Sequence, residues 1–122
     1  MATYVDGYVL SVPKKKRAAY RKMAREGAAV WMKCGAIEYR ECRADDVAGQ
    51  PGCSSFPKLV KTKPDEEVWF SFVVYRSKKD RNRITKQVME YFTKKYDEKQ
   101  MASMPFDMKR MAMGGFSVEV EG

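Results

Sequence analysis

The fold of this chain is decided by one stretch, EEVWFSFVVY at residues 66–75. The stretch is rich in β-branched and aromatic residues, which favour a strand. Successive side chains of a strand point to opposite sides, so Val68, Phe70, Phe72 and Val74 share one face, and Trp69, Ser71, Val73 and Tyr75 share the other. A strand that is apolar on both faces is typical of the centre of a sheet that is covered on both sides.

The segments around this strand show further alternation between strand and helix patterns. Residues 3–12 predict a strand with Val5, Gly7 and Val9 on one face and Tyr4, Asp6, Tyr8 and Leu10 on the other. Ser11 and Pro13 would begin a helix, and Gly35 would end it. Residues 37–44 and 58–62 predict strands on either side of a long loop. Ser77 would cap a second helix that reaches about residue 92, and residues 110–120 predict a closing strand with a bulge or a close backbone approach at Gly114-Gly115.

Apart from the short strand 58–62, the order of these elements is strand, helix, strand, strand, helix, strand. This is the βαββαβ pattern of a ferredoxin-like α+β fold, with an antiparallel sheet and both helices on one face. The 122 residues fit a single domain, which we place at 1–122. The uncovered sheet face would still carry apolar side chains, and pairing with a second copy would bury them. We therefore expect a homodimer.

Composition restricts the chemistry and the compartment. The chain contains no histidine, which removes the usual general base near neutral pH and the commonest zinc ligand. Its three cysteines fit neither a disulfide framework nor a zinc motif, so free thiols and a cytoplasmic location are expected. No stretch is long and apolar enough for a membrane span.

Six runs carry a resemblance to a known family: 4–9 (YVDGYV), 41–47 (ECRADDV), 55–57 (SFP), 68–72 (VWFSF), 104–111 (MPFDMKRM) and 114–116 (GGF). Together they resemble the YbaA-like family of unknown function, from about residue 3 to residue 118. The resemblance implies a bacterial protein of the dimeric α/β-barrel superfamily, in which two ferredoxin-like sheets face each other around a cavity. That superfamily includes monooxygenases without cofactors, isomerases and small-molecule binders, so the resemblance implies no single reaction. We expect a small apolar or aromatic ligand in the cavity between the sheets, and no cofactor.

Asp6 is the candidate catalytic residue. Without histidine, a proton-transfer enzyme needs another group whose pKa is shifted by its surroundings. Asp6 shares a strand face with two phenols, so we expect it in the inter-sheet cavity with a raised pKa. A structural carboxylate satisfied by tyrosine or arginine is the alternative. The expected cavity residues are Tyr4, Tyr8, Trp69, Ser71, Tyr75, Phe106 and Arg110, although the pattern leaves open which face of strand 66–75 points inward.

Three other groups of residues carry weaker predictions. Glu41, Asp45 and Asp46 could hold a hard metal ion, but acids before a glycine-rich loop more often serve turn chemistry, and we assign no metal site. Arg40 and Arg43 flank Cys42, and positive neighbours favour a reactive thiolate, but the strand period places Arg43 on the opposite face. Asp107 and Arg110, three residues apart, are expected to form a pair that fixes the connection into the last strand.

The positive charge is the basis of a rival function. Lysine and arginine outnumber the acids by 24 to 16, giving a net charge of +8. A basic surface at Lys14, Lys15, Lys16, Arg17 and Arg21 could bind RNA or another acidic partner, although a solvated helix face is the commoner explanation. The aromatic residues of strand 66–75 lack the basic residue and glycine that open an RNA-recognition motif. Nucleic-acid binding is therefore the alternative to small-molecule binding.

Overall fold

A computed structural model describes residues 3–122. Within this range the chain forms β1 (Tyr4–Pro13), α1 (Arg17–Cys34), β2 (Glu38–Arg43), α2 (Phe56–Leu59), β3 (Glu66–Tyr75), α3 (Lys78–Lys95), α4 (Glu98–Ala102) and β4 (Ala112–Ser117), with single 3₁₀ turns at Lys14–Lys16 and Met108–Arg110.

The four strands form one antiparallel sheet in the order β2-β3-β1-β4. With α1 following β1 and α3 following β3, this is the expected ferredoxin-like α+β architecture. The central strand β3 has the bounds that its sequence predicts, and it pairs with β1 along its whole length. The fold prediction is therefore confirmed.

The sheet has two unlike faces. Helices α1 and α3 pack on the face that we call the helix face, whose β3 residues are Glu67, Trp69, Ser71, Val73 and Tyr75. Val73 and Tyr75 are buried there against Ile84 and Val88 of α3 and Val30 of α1. The opposite face, which we call the open face, carries Val5, Val9, Val68, Phe70, Phe72, Val74 and Phe116. No long helix of residues 3–122 covers that face.

The sequence predicts three helix ends from their capping residues, and two of these predictions are confirmed. The Ser77 hydroxyl accepts a hydrogen bond from the Asp80 backbone N–H at 3.1 Å, and Gly35 ends α1 with a φ of 115°. The predicted start of α1 at Ser11 and Pro13 is wrong. Both residues belong to β1, where the Ser11 hydroxyl lies 2.8 Å from that of Thr62, and a 3₁₀ turn of three lysines precedes the helix.

The predicted strand at 58–62 is also wrong, because the chain forms the short helix α2 there instead. Ser55 caps this helix by accepting a hydrogen bond from the Lys58 N–H, and Pro57 lies in its first turn, where a missing N–H costs nothing. The chain after α2 buries Val60 against Val9 and Val68 of the open face. The α2 region thus covers one end of that face.

Gly114 and Gly115 continue β4 without a bulge, since the pairing with β1 runs unbroken from Ala112 to Ser117. The expected close approach is present at Gly115, where the ring of Tyr4 occupies the space that a Cβ would need. Any side chain at this position would displace that ring.

Candidate functional site

A small open cavity of about 90 Å³ lies between the helix face and α1. Most of its wall is apolar or aromatic. The lining residues are Tyr8, Leu10, Tyr20, Met23, Trp31, Tyr39, Glu41, Ser71, Val73, Phe106 and Met111. An apolar cavity with a few convergent polar groups is the usual form of a ligand site.

The polar groups of the cavity come from one row across three strands. Tyr8 of β1 lies opposite Ser71 of β3, and Ser71 lies opposite Glu41 of β2. Side chains directly opposite each other have Cβ atoms about 5 Å apart. The pairing register therefore places two hydroxyls and a carboxyl side by side on the cavity floor.

Glu41 is held by two tyrosines and by no cation within the described range. Tyr20 donates its hydroxyl to Glu41 Oε1 at 2.8 Å, and Tyr39 donates to Oε2 at 2.7 Å. Burial raises the pKa of Glu41, because the loss of solvation outweighs the two hydrogen bonds that favour the ion. Burial together with the Glu41 charge also raises the pKa values of Tyr20 and Tyr39, so both remain donors. The cavity thus contains a proton acceptor with a spare lone pair on each oxygen.

Tyr8 and Ser71 have hydroxyl groups without a partner. Neither makes a side-chain hydrogen bond in the part of the chain that the structure describes, and both line the cavity. Burial is the main cause that raises the pKa of Tyr8 to about 12, with a smaller contribution from the Asp6 charge. Both hydroxyls are neutral near pH 7 and can donate to a ligand.

Asp6 lies on the helix face, so the prediction that it lies between two sheets is wrong. Its residue is only 3% exposed, and Arg81 of α3 donates to its Oδ1 at 3.1 Å. Arg81 also lies over the ring of Tyr4, 4.9 Å from the centroid. The pKa of Asp6 is raised, as expected, because desolvation outweighs the attraction of Arg81. Asp6 does not line the cavity, and a catalytic role for it stays a prediction.

Arg110 does not line the helix-face cavity, and the other predicted cavity residues separate into two sets. Tyr8, Ser71 and Phe106 line the helix-face cavity. Tyr4, Trp69 and Tyr75 lie on the same face outside it: Trp69 donates to Glu67 at 2.9 Å, and Tyr75 accepts from Trp31 at 3.0 Å. The prediction that these residues lie between two sheets is therefore also wrong. For the five strand residues the reason is the strand period, because each of them shares a face with the residues that pack on the helices. Phe106 precedes β4 and packs on Tyr20 of α1.

Arg110 fixes the segment that forms one wall of the cavity. The predicted pair with Asp107 is confirmed, with Arg110 Nε 3.1 Å from Oδ2. The sequence did not indicate a second partner, Glu66, which accepts two hydrogen bonds from the same guanidinium at 2.7 and 2.6 Å. This clamp lowers the pKa of Glu66 to about 2. It holds Phe106 and Met111 in place, and the ring of Phe106 packs 5.8 Å from that of Tyr20.

A second cavity of about 250 Å³ lies on the open face. It is lined by Cys42, Arg43, Ala44, Asp45, Asp46, Val47, Phe56, Val68 and Phe70. Cys42 is an exposed free thiol. Glu41 points to the other face of β2, so it does not join Asp45 and Asp46, and residues 3–122 contain no cluster of three or more acidic or cysteine side chains suited to a metal ion.

In the structure, Arg17 differs from the other residues of the predicted basic surface. Lys14, Lys15, Lys16 and Arg21 are exposed. Arg17 is instead paired with Glu67, which accepts from its Nε at 3.0 Å. Arg17 therefore fixes the start of α1 to β3.

Sequence reasoning missed three of the cavity residues as a group: Tyr20, Tyr39 and Glu41. One signal was available, because Tyr39 and Glu41 are two apart on a strand and must share a face. The contribution of Tyr20 depends on how α1 crosses the sheet, which the sequence does not specify.

The architecture defines the class of protein, which is a ferredoxin-like α+β domain with one open sheet face. Solved structures agree with this class. The fold matches a dimeric ferredoxin-like protein from an uncultured marine organism (TM-score 0.65, 11% identity, 100% of this chain and 92% of that one). It also matches a protein from Nitrosomonas europaea that is provisionally named an antibiotic biosynthesis monooxygenase (TM-score 0.61, 12% identity, 97% and 91%).

Sequence comparison identifies the family. The family model described as Protein of unknown function (DUF1428) matches residues 3–108. The Escherichia coli (strain K12) protein named "Uncharacterized protein YbaA" is 41% identical over 114 residues, which is 93% of each chain. A Shigella flexneri protein of the same name matches equally well. This chain belongs to that family, as the sequence runs indicated.

None of the helices within residues 3–122 is long and apolar enough to cross a membrane.

Proposed function

We propose that this protein is a cytoplasmic homodimer in which each chain binds a small apolar or aromatic molecule in the helix-face cavity. One observation carries the proposal: an open, apolar cavity whose floor holds a carboxylate and two unpartnered hydroxyls in a single row. Polar groups left free in an apolar pocket favour a ligand that can pair with them.

The cavity volume limits the ligand. At about 90 Å³ it is smaller than the roughly 150 Å³ cavity that accepts benzene in an engineered protein. Met23 and Met111 form part of the wall, and methionine side chains adapt readily to a guest. Without such movement the cavity accepts a compound of a few heavy atoms, and an aromatic ring enters when the two methionine side chains move aside.

The open face supports the homodimer. Phe70 and Phe116 are 41% and 63% exposed there, and Phe72 lies beside them. A run of exposed aromatic rings on a sheet is usually covered by a partner. The marine structural neighbours are described as dimeric, which favours a second copy of this chain as that partner.

Dimerisation of this kind leaves a second location for the ligand. The 250 Å³ cavity lies on the face that a partner would cover, so it keeps the inter-sheet site of the sequence prediction open. We favour the helix-face cavity because its polar residues Tyr8, Ser71 and Glu41 are buried or half-buried, whereas the polar residues of the second cavity are exposed to solvent.

Saturation-transfer NMR with toluene, phenol and cyclopentanone as probes tests the proposal. Ser71→Val places two methyl groups in the helix-face cavity and should weaken binding at least tenfold. Phe70→Leu trims the wall of the second cavity and serves as the matched variant, which should bind as the unmodified protein does. The opposite pattern would move the site to the open face. If no probe binds the unmodified protein, the proposal fails.

The rival function is binding of RNA or another acidic partner through the basic surface. Its support is that Lys14, Lys15, Lys16 and Arg21 are exposed and form no ion pair within the described residues. Such binding would be weak and independent of sequence, since phosphate contacts carry no base information. Affinity should fall by about 0.7 log units per log unit of salt for each single-strand phosphate contact, whereas cavity binding should barely respond. A sub-micromolar, sequence-specific complex that survives physiological salt would favour the rival.

A further inference from the structure

We propose that the row Tyr8, Ser71 and Glu41 catalyses enolisation of a small carbonyl compound, with Glu41 taking a proton from the carbon next to the carbonyl group. This inference rests on the proposed function, because the reaction requires a ligand in the helix-face cavity. It adds a substrate class and a role for each polar group.

The arrangement of the row favours a two-point ligand. Glu41 is on β2, whereas the free hydroxyls are on β3 and β1, one and two strands away. Neighbouring strands are about 4.8 Å apart, so the base and the donors address different atoms of a bound molecule. An enolisable carbonyl compound has the matching pattern: a C–H to be deprotonated and, two bonds away, an oxygen that becomes negative.

Glu41 is suited to act as the base. Each of its oxygens accepts one tyrosine hydrogen bond, at 2.8 and 2.7 Å, which fixes the carboxylate and leaves one lone pair on each oxygen. Burial also raises its pKa, which makes the ion a stronger base than an exposed glutamate. No arginine or lysine of residues 3–122 pairs with it to reduce that basicity. The ion pair of Asp6 with Arg81 is the contrasting case.

Tyr8 and Ser71 are suited to stabilise the product of this step. Their hydroxyls lack protein partners in the described chain, so they can donate to an oxyanion without first breaking a bond. With its pKa of about 12, Tyr8 stays protonated and remains a donor.

The step balances without a further reactant. The C–H bond breaks and its proton moves to a Glu41 oxygen. The electron pair of that bond forms a carbon–carbon double bond, and the carbonyl π pair moves to the oxygen, which accepts hydrogen bonds from Tyr8 and Ser71. Hydrogen is exchanged when the proton on Glu41 is replaced by one from solvent before a proton returns to the same carbon. In a substrate with a second, conjugated double bond, the proton can instead return to the far carbon of the dienolate, which moves the double bond. Either route restores the Glu41 carboxylate.

Deuterium exchange tests the inference directly. Cyclopentanone and phenylacetone are incubated with the protein in D2O, and loss of the α-proton signal is followed by NMR beside a buffer control. We expect exchange faster than in buffer, and a loss of about 100-fold or more of that acceleration in Glu41→Gln. Tyr8→Phe should lose about tenfold or more while still binding the ketone.

Glu38→Gln is the matched control, because Glu38 is the other glutamate of β2, faces the open side and pairs with Arg40. It should exchange as fast as the unmodified protein. Saturation-transfer measurements on the same samples separate the two proposals. Binding without accelerated exchange overturns the enolisation and leaves the binding function intact, whereas absence of binding overturns both. Full exchange in Glu41→Gln, or a loss of the same size in Glu38→Gln, overturns the assignment of the base.

Discussion

The two faces of the sheet are built from the same strands, yet one is covered by helices and the other is exposed. On the helix face, Asp6, Glu41 and Glu67 are buried or half-buried, and each accepts hydrogen bonds from arginine, tyrosine or tryptophan. On the open face, the aromatic residues Phe70 and Phe116 are exposed to solvent. The helix face, including its carboxylates, is thus closed by the chain itself, whereas the open face keeps exposed aromatic rings that the proposed dimer would cover.

The largest effect is expected from a charge placed on each face in turn. Val73 and Phe72 are adjacent in β3, with Val73 only 1% exposed on the helix face and Phe72 on the open face. Val73→Asp buries an unpaired charge and should cost about 4 kcal/mol or more, enough to unfold a marginal domain. Phe72→Asp should leave the circular dichroism spectrum folded but reduce the mass by light scattering to the 14.1 kDa of one chain. If Phe72→Asp unfolds as readily as Val73→Asp, the open face is part of the core and the contrast fails.

A smaller effect is expected at the neighbouring carboxylates Glu66 and Glu67. Glu66 holds the Arg110 segment and Glu67 holds α1 through Arg17. Glu66→Gln should lower the free energy of unfolding by about 2 kcal/mol, since it weakens two charge-assisted hydrogen bonds between a buried carboxylate and a half-buried guanidinium. Glu67→Gln, whose partner Arg17 is more exposed, should cost about 1 kcal/mol. Urea titrations of both variants measure the difference.

The Glu66 effect should depend on pH in a defined direction. Its folded-state pKa of about 2 lies below the ordinary 4.5, so the folded protein binds fewer protons than the unfolded chain in that interval. The stabilisation is present above the ordinary value and is lost as the pH falls toward 2. The gap between the protein and Glu66→Gln should therefore narrow across that range. A gap that stays constant would show that Arg110 binds both forms equally.

Much of the contrast between the two faces could be predicted from the sequence. The choice of the covered face and the contacts between distant residues could not. Alternation in residues 66–75 predicted β3 and the composition of its two faces, because the strand period is local. It did not say which face the helices cover, since both faces are apolar, and Asp6 was expected on the wrong side for that reason. Arg110 and Glu66 are 44 residues apart in sequence and meet only when the segment before β4 packs against the sheet. The helix at Phe56–Leu59 is a different case, because it could have been predicted. Its start signals, Ser55 as the cap and Pro57 in the first turn, are present in the sequence.

The cavity floor provides a test of intermediate size. Tyr39→Phe removes one of the two donors that hold Glu41, and should destabilise the fold by about 1 kcal/mol at neutral pH. It should also raise the pKa of Glu41 further, because that hydrogen bond favours the ion. Carboxyl carbon NMR titration of the variant measures the shift. An unchanged pKa would mean that Tyr20 alone sets the environment of Glu41.

The smallest effect is expected at Asp6, where the helix face holds its most buried carboxylate. Desolvation raises the pKa of Asp6 above its ordinary 3.8 despite Arg81, so the folded protein keeps the proton over a range in which the unfolded chain has lost it. The contribution of Asp6 to stability therefore falls as the pH rises through that range.

Asp6→Asn keeps the shape and carries no charge, so near neutral pH it should be as stable as the unmodified protein, within about 0.5 kcal/mol, or slightly more stable. Thermal melts of both proteins from acid to neutral pH provide the measurement. A variant that is clearly less stable at neutral pH, with the difference closing in acid, would show that the pair with Arg81 outweighs desolvation. The helix face would then be held together by its ion pairs, and its contrast with the open face would be one of charge rather than of burial.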